Sequence, residues 1–174
     1  MLTGLGHKLI EVDFSELSSG ICSYYVIAPA ECSSNLSRFD GVKYGYRSEG
    51  EKDIANLYMN TRSDGFGDEV KKRILIGTHV LSAGFYDAYY LQAQKVRRMI
   101  KVKFEDFFKD VDLIFMPTTL DQAFEKNRKS DDPNRMYKED LLTIPANLAG
   151  LPAISFPNGL SLIHISEPTR QATI

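Results

Sequence analysis

The side chains best suited to binding a small molecule cluster after an apolar segment near the start of the chain. Residues 24–37 predict a helix, and a turn follows at Asp40-Gly41, because glycine adopts a positive φ without steric cost. The polar and aromatic residues around this turn are Arg38, Asp40, Tyr44, Tyr46 and Arg47. Convergent groups of this kind beside an apolar wall predict a pocket. A solvated loop is the alternative interpretation.

Nucleophilic attack by a serine requires more than a hydroxyl group. The serine needs a nearby base, and it needs backbone N–H groups in a tight turn to stabilise the oxyanion. Ser33-Ser34 lies inside the predicted apolar helix, Ser18-Ser19 lies in a loop, and the chain contains no Gly-Gly pair. Neither serine pair is therefore interpreted as nucleophilic.

Composition excludes several classes of protein. The 174 residues, 43% hydrophobic and 25% charged, are sufficient for one globular domain with a core. The net charge of −2 provides no electrostatic footprint for nucleic acid. The two cysteines, Cys22 and Cys32, fit a reduced compartment better than a disulfide framework. No membrane span is predicted, and the isolated His79 gives no reason to expect a metal site.

Helices are predicted over most of the chain. Apolar residues spaced close to 3.6 apart predict a long helical segment over 68–109. Gly77 and Gly84 lie on its apolar stripe, which indicates either close helix packing or a break between two helices. Further helices are predicted over 52–62 and from Asp132 onward, where a proline suits the first turn, and Pro145 should bend or restart the second of these helices.

Short apolar runs between these helices predict strands. They lie at 8–14, 111–116 and 153–156. Strands that alternate with helices are typical of an α/β sandwich with a mixed sheet. The fold class expected from the sequence is therefore α/β.

Several sequence blocks resemble the amidase signature family. The first is YYVIAPAECSSNLSRFDGVKYGYR at 24–47, and five more follow in order: TRSDGFGDEVKKRI at 61–74, GTHVLSAGFYDAYY at 77–90, QKVR at 94–97, MPTT at 116–119 and LTIPANLAGLPAIS at 142–155. The resemblance covers nearly everything from about Gly6 to Gly159. An ordered series of blocks is far more specific than one short motif. Within the family, the chain is similar to the glutaminase components, known as A subunits, of tRNA-dependent amidotransferases.

The resemblance implies a fold and an activity. The fold is an amidase-signature α/β/α sandwich with a mixed sheet, truncated at both ends in this chain. The parent protein would hydrolyse glutamine and supply ammonia for the conversion of Glu-tRNA(Gln) into Gln-tRNA(Gln). The family hydrolyses amides with two serines and a lysine in Gly/Ser-rich loops, and this chain is expected to begin after those loops. We therefore expect no catalytic residue here and no activity from the chain alone.

The resemblance also implies partners and a compartment. The glutaminase component would need no cofactor of its own, whereas a B subunit would use ATP and Mg to activate the tRNA-bound glutamate. A small C subunit would join the two, and tRNA would be bound through the partner subunit. The expected location is the cytoplasm, without membrane association.

Three residues match positions that line the glutamine site in the family. The resemblance implies that Arg73 holds the α-carboxylate, that Asp140 holds the α-ammonium, and that Tyr24 forms part of the wall. A zwitterion requires opposite charges of this kind, because an unpaired buried charge is costly. Surface charge is the alternative interpretation for Arg73 and Asp140, and core packing is the alternative for Tyr24.

Two other functions are also compatible with the sequence. The parent protein could be a stand-alone amidase that acts on another small amide, or the chain could be a non-catalytic binding or scaffold domain.

Residues 1–159 are expected to be a partial amidase domain from the C-terminal part of the parent. Residues 160–170 resemble an in-frame translation of a transposase sequencing adapter, so 160–174 is expected to be an artefactual tail.

Overall fold

The computed structural model describes residues 3–50, 52–121 and 135–157. The expected helix start at Asp132 and the expected tail at 160–174 lie outside the described residues. The α-helices are α1 (Gly20–Leu36), α2 (Ile54–Gly65), α3 (Asp68–Val80), α4 (Leu91–Phe107), α5 (Arg135–Lys138) and α6 (Ile144–Ala149). Single 3-10 turns lie at Thr3–Leu5, Ser15–Ser19 and Glu139–Leu141, and a π-helical turn at Tyr86–Tyr90 leads into α4.

Helices α1 and α3 pack against each other, and their closest approach is at Gly77. A Cβ atom on Gly77 would lie 1.9 Å from the carbonyl oxygen of Pro29 and 2.8 Å from Cβ of Ser33. Glycine therefore allows the α3 backbone to lie directly against the α1 backbone. Close helix packing, one of the two alternatives for this glycine, is confirmed.

The predicted long helical segment over 68–109 is interrupted between α3 and α4. Helix α3 ends at Val80, and Gly84 adopts a φ of +87° in the connection. This left-handed conformation favours glycine, and it lies in a turn closed by hydrogen bonds from the backbone N–H groups of Phe85 and Tyr86 to the carbonyl oxygen of Ser82. The second alternative, a break between two helices, is confirmed at Gly84.

The core lies where α4, α6 and α1 meet. Ile100 and Phe104 of α4 are 0% and 2% exposed, and Ile144 at the start of α6 is 2% exposed. Ile27 of α1 belongs to the same apolar cluster. The side chain of Arg97 also joins two of these helices, since its Nε donates to the carbonyl oxygen of Leu148 at 3.0 Å. These contacts place α1 in a fixed position, from which its tyrosines extend.

Helix α6 begins where the sequence indicates a restart. Pro145 occupies the first turn of α6, where a missing N–H costs no hydrogen bond. Gly150 follows the helix with a φ of +73° and terminates it. The predicted bend or restart at Pro145 is therefore confirmed, and it separates α6 from the turn that carries Asp140.

The segments predicted as strands form no β-ladder within the described residues. Residues 8–14, 111–116 and 153–156 are neither helical nor paired there, because a strand requires a neighbouring backbone to complete its hydrogen bonds. The latter two segments nevertheless lie side by side: the rings of Phe115 and Phe156 have centroids 6.4 Å apart. The described residues therefore do not confirm the mixed sheet.

Candidate functional site

Two adjacent tyrosines of α1, Tyr24 and Tyr25, lie at the centre of the candidate site. Their rings meet edge to face with centroids 5.2 Å apart and planes at 86°. The Tyr25 hydroxyl donates a hydrogen bond to Oδ2 of Asp140 at 3.1 Å. Helix α1 is anchored in the core close by, at Ile27, so both tyrosines start from a rigid backbone. The tyrosine pair thus connects α1 to the turn at Glu139–Leu141.

Arg73 approaches the same tyrosine pair from α3. Its Nε donates to Oε1 of Glu69 at 3.0 Å, one turn earlier in the helix. The hydrogen bond with Glu69, and then the nearby Tyr24 hydroxyl, raise the pKa of Arg73 above its usual value although partial burial opposes them. Arg73 is therefore a permanent cation with a fixed orientation.

Asp140 contacts the second tyrosine of the pair, Tyr25. Its carboxylate is exposed and accepts the Tyr25 hydrogen bond. Burial and the Asp140 hydrogen bond raise the pKa of Tyr25 to about 12, and the charge of Arg73 opposes that rise. Tyr25 thus responds to both charges, the anion through a hydrogen bond and the cation through its field. Arg73 and Asp140 therefore both lie close to the tyrosine pair.

A third tyrosine and a lysine complete the cluster. The ring of Tyr137 in α5 meets the ring of Tyr25 at a centroid distance of 4.8 Å and an angle of 71°. The Nζ of Lys72 donates to the Tyr137 hydroxyl at 3.1 Å and lies 5.6 Å from the ring centroid. The short distance to the hydroxyl and the longer distance to the centroid together place the ammonium beyond the hydroxyl group and not over the ring face. Lys72 therefore fixes Tyr137 through a hydrogen bond, and Tyr137 packs on Tyr25.

The structure brings together the three residues that the resemblance implicates and adds three more. Tyr24, Arg73 and Asp140 lie within one cluster, whose other members are Tyr25, Tyr137 and Lys72. Their role in binding glutamine stays a prediction. Sequence reasoning missed Tyr25, and the available signal was its adjacency to Tyr24. No sequence pattern placed Tyr137 against Tyr25.

Two clefts of the described residues lie elsewhere. One, of about 410 Å³, is bordered by α4 and the residues after α6, including Lys101, Phe104 and Leu151. The other, of about 110 Å³, is bordered by Tyr46 and Thr61 among others. Neither cleft includes the tyrosine pair.

The polar loop after α1 is held mainly by its own side chains. Oδ1 of Asp40 accepts a hydrogen bond from the backbone N–H of Val42 at 2.9 Å. Nη1 of Arg47 donates to the carbonyl oxygen of Gly41 at 3.0 Å. Such contacts stabilise a turn, since they satisfy backbone groups that have no helical partner. For Asp40 and Arg47, the geometry favours the loop interpretation over the pocket.

The serines considered as nucleophiles form local hydrogen bonds. Thr78 donates its hydroxyl hydrogen to the carbonyl oxygen of Ile74 at 2.8 Å, so the 2.9 Å contact between Ser33 and Thr78 has Ser33 as donor. Ser18 donates to the carbonyl oxygen of Ser15 at 2.9 Å. These bonds tie α1 to α3 and stabilise the turn before α1.

The described residues contain neither a metal-binding group of side chains nor a membrane-spanning helix. In residues 3–50, 52–121 and 135–157, no group of three or more His, Cys, Asp or Glu side chains is placed to hold a metal ion. Within the same ranges, no helix has both the length and the apolar character needed to cross a membrane.

The match to known proteins is extensive. The Amidase family model matches residues 1–163. The chain belongs to the amidase family. This amidase-family chain is 58% identical over 155 residues to the A subunit of glutamyl-tRNA(Gln) amidotransferase from Hahella chejuensis, and the match covers 89% of the chain and 32% of that protein. The corresponding protein of Cellvibrio japonicus is 58% identical over 156 residues, with 90% and 32% covered.

A solved structure of the same family has the same fold. The crystal structure of the glutamyl-tRNA(Gln) amidotransferase A subunit from Thermotoga maritima aligns with a TM-score of 0.60 at 41% sequence identity. The alignment covers 92% of this amidase-family chain and 30% of that one. The described helices therefore belong to an amidase fold. The chain spans about a third of the length of the curated relatives it matches.

Proposed function

We propose that this chain contributes the glutamine-recognition surface of a glutamyl-tRNA(Gln) amidotransferase A subunit. The complete protein is a glutaminase that supplies ammonia for the conversion of Glu-tRNA(Gln) into Gln-tRNA(Gln). The observation that carries the proposal is that Asp140 accepts a hydrogen bond from Tyr25 while the charge of Arg73 is close enough to act on the same hydroxyl. The names of the relatives at 58% identity support the same interpretation.

The paired charges suit the backbone end of free glutamine. Arg73 donates to the α-carboxylate, since its Nε is engaged by Glu69 and further N–H groups of its guanidinium remain as donors. Asp140 accepts from the α-ammonium. Because the ammonium and the carboxylate are both bonded to the α-carbon, binding the two groups fixes the direction of the side-chain amide. The Tyr24 hydroxyl, which is close to Arg73, contributes a polar group at the carboxylate end.

Hydrolysis itself belongs, in this proposal, to the remainder of the protein. The two serines and the lysine of the family are supplied there, and so are the strands that pair with 8–14, 111–116 and 153–156 to form a mixed sheet. Exposed apolar side chains in two of these segments support that pairing, since Leu113 and Ile154 are 86% and 85% exposed. This chain binds and orients glutamine but forms no covalent bond with it.

The partners follow from the proposed function. Within the complex, the B subunit uses ATP and Mg to activate the tRNA-bound glutamate and accepts the ammonia, and a small C subunit joins the two. The tRNA contacts the B subunit. The complex works in the cytoplasm, where charged tRNA is made.

A chimeric protein tests the proposal. The matching segment of the Hahella chejuensis A subunit is replaced by residues 1–159 of this chain, and the chimera is assembled with that organism's partner subunits. We expect glutamine-dependent synthesis of Gln-tRNA(Gln). Replacing Arg73 by alanine should raise the glutamine KM at least about 30-fold, equivalent to about 2 kcal/mol, because the carboxylate loses a charged partner.

Synthesis from ammonium chloride is the matched control. Free ammonia bypasses glutamine recognition, so the rate with ammonium should be the same for the parent chimera and Arg73→Ala. An unchanged glutamine KM in Arg73→Ala would refute the assignment of Arg73. Equal losses with glutamine and ammonium would show a general folding defect in place of a recognition role.

A further inference from the structure

We propose that Tyr25 is a positioning residue that fixes the Asp140 carboxylate for the substrate ammonium. The inference rests on the proposed function and extends it to a residue outside the set of Tyr24, Arg73 and Asp140. It is carried by the hydrogen bond from the Tyr25 hydroxyl to Oδ2 of Asp140 at 3.1 Å. That bond joins residues 115 positions apart, so it is a tertiary contact between α1 and the turn at Glu139–Leu141.

Asp140 has little other means of holding a fixed direction. Its side chain is exposed, and its turn is a single 3-10 turn between two short helices. An exposed aspartate on a short turn can rotate about two torsions, and immobilising it costs conformational entropy at each binding event. A hydrogen bond from a rigid donor immobilises the Asp140 carboxylate before the substrate binds, so less conformational entropy is lost on binding. With Oδ2 engaged by Tyr25, Oδ1 is the oxygen that accepts the ammonium.

The donor is rigid because two rings hold it. Tyr24 meets the Tyr25 ring edge to face at 5.2 Å, and Tyr137 meets it at 4.8 Å and 71°. Lys72 in turn fixes Tyr137 by donating to its hydroxyl at 3.1 Å. Edge-to-face pairs of this kind resist ring rotation, since the ring edges and faces carry opposite partial charges. The Tyr25 hydroxyl therefore has one stable direction, toward the turn.

Tyr25 also links the two ends of the site. The neighbouring Tyr24 packs its ring against Tyr25, and the Tyr24 hydroxyl is close enough to Arg73 to raise the pKa of that guanidinium. The anionic and cationic groups thus lie beside consecutive residues of one helix turn. A fixed separation between the two charges selects a ligand whose ammonium and carboxylate are attached to the same carbon. Amides that carry only one of these charges are disfavoured.

A double-mutant cycle in the chimeric protein tests the inference. The variants are Tyr25→Phe, Asp140→Asn and the double variant, with Tyr89→Phe as the matched control because Tyr89 is 51% exposed and remote from the cluster in sequence. Tyr25→Phe keeps the ring and removes only the donor. We expect the glutamine KM to rise about tenfold, with kcat changed less than about twofold. Tyr89→Phe should leave both constants unchanged.

The double variant separates positioning from structure. If Tyr25 acts through Asp140, the double variant should have the KM of Asp140→Asn alone, because the residue being positioned has lost its charge. Inhibition by 4-carbamoylbutanoate, which lacks the ammonium, should be unaffected by Tyr25→Phe. An additive double variant, or equal weakening of glutamine and 4-carbamoylbutanoate, would overturn the inference.

Two results distinguish this inference from the function on which it rests. If Arg73→Ala raises the glutamine KM and Tyr25→Phe does not, the inference is wrong and the recognition surface stands. If neither variant changes the KM, the recognition surface itself is wrong. Thermal unfolding of each chimera identifies a variant that fails to fold, and if Tyr25→Phe fails it is replaced by Tyr137→Phe. That substitution removes the bond with Lys72 and should raise the KM through the looser Tyr25 ring, whereas an unchanged KM would again overturn the inference.

Discussion

Single residues determine which charges meet on the candidate surface, and sequence alone does not give all of them. Tyr24 and Tyr25 are neighbours on a helix, so their side chains leave α1 about 100° apart. Only the packing of α1 against α3 shows that Tyr24 meets Arg73 while Tyr25 meets Asp140. A motif match identifies one tyrosine by position. It does not reveal that the adjacent tyrosine holds the acid.

At this scale, Tyr25 makes a testable contribution to stability that depends on pH. Its pKa is raised to about 12 in the folded chain from about 10 in an unfolded one, so the neutral phenol is favoured by folding. This stabilisation is fully present below about pH 10 and is lost as the pH rises toward about 12. We expect the difference in unfolding free energy between the parent and Tyr25→Phe to be constant from about pH 7 to about pH 10 and to shrink above it.

Denaturant unfolding at a series of pH values measures that difference. Lysines and the other tyrosines titrate in the same range, but they are common to both chains and cancel in the comparison. A difference that stays constant up to about pH 12 would show that Tyr25 is not held in its neutral form by the fold.

At the scale of helices and turns, sequence patterns are informative where the cause is local. The restart at Pro145 and the break at Gly84 follow from backbone chemistry, and both were predictable. The role of Gly77 was predictable only as one of two alternatives, because close packing depends on which helix lies opposite. The strand at 111–116 was predicted from an apolar run, but a strand also requires a partner that no local pattern supplies.

The contact at Gly77 predicts the effect of one methyl group. In Gly77→Ala, the new Cβ would overlap the carbonyl oxygen of Pro29, so α1 and α3 must separate. We expect a loss of about 1–3 kcal/mol in unfolding free energy, which exceeds the gain of up to about 1 kcal/mol from better helix propensity. Gly67→Ala is the control, since a Cβ there meets nothing within 4 Å. Chemical denaturation of both variants checks this, and equal stabilities would contradict the described approach of the helices.

At the scale of the whole molecule, one core joins the elements that carry the site. Phe104 and Ile100 of α4 pack with α6 and α1, and α1 carries the tyrosine pair. The apolar residues that predicted the long helical segment do not form this core, since Leu81 and Phe85 among them are exposed. The contacts of the core with α6 were not predictable either, because they join parts of the chain that are far apart in sequence.

Two phenylalanines one turn apart test that core. Phe104 is 2% exposed, whereas Phe108 is 41% exposed. Replacing Phe104 by alanine should cost about 3–5 kcal/mol of unfolding free energy, because it removes a buried ring and leaves a cavity. Phe108→Ala should cost much less. Denaturant unfolding compares the two, and similar losses would show that α4 does not bury Phe104 as described.

The central claim, that Arg73 and Asp140 recognise the two charges of glutamine, is tested most directly by crossed substrates. Ammonia release by the chimeric protein is measured with glutamine, with 4-carbamoylbutanoate, which lacks the ammonium, and with 4-aminobutanamide, which lacks the carboxylate. The parent chimera should prefer glutamine to both. Arg73→Met should abolish the preference over 4-aminobutanamide alone, and Asp140→Asn should abolish the preference over 4-carbamoylbutanoate alone. If both variants lose activity on all three amides in the same proportion, neither residue binds a charged group of the substrate and the account is wrong.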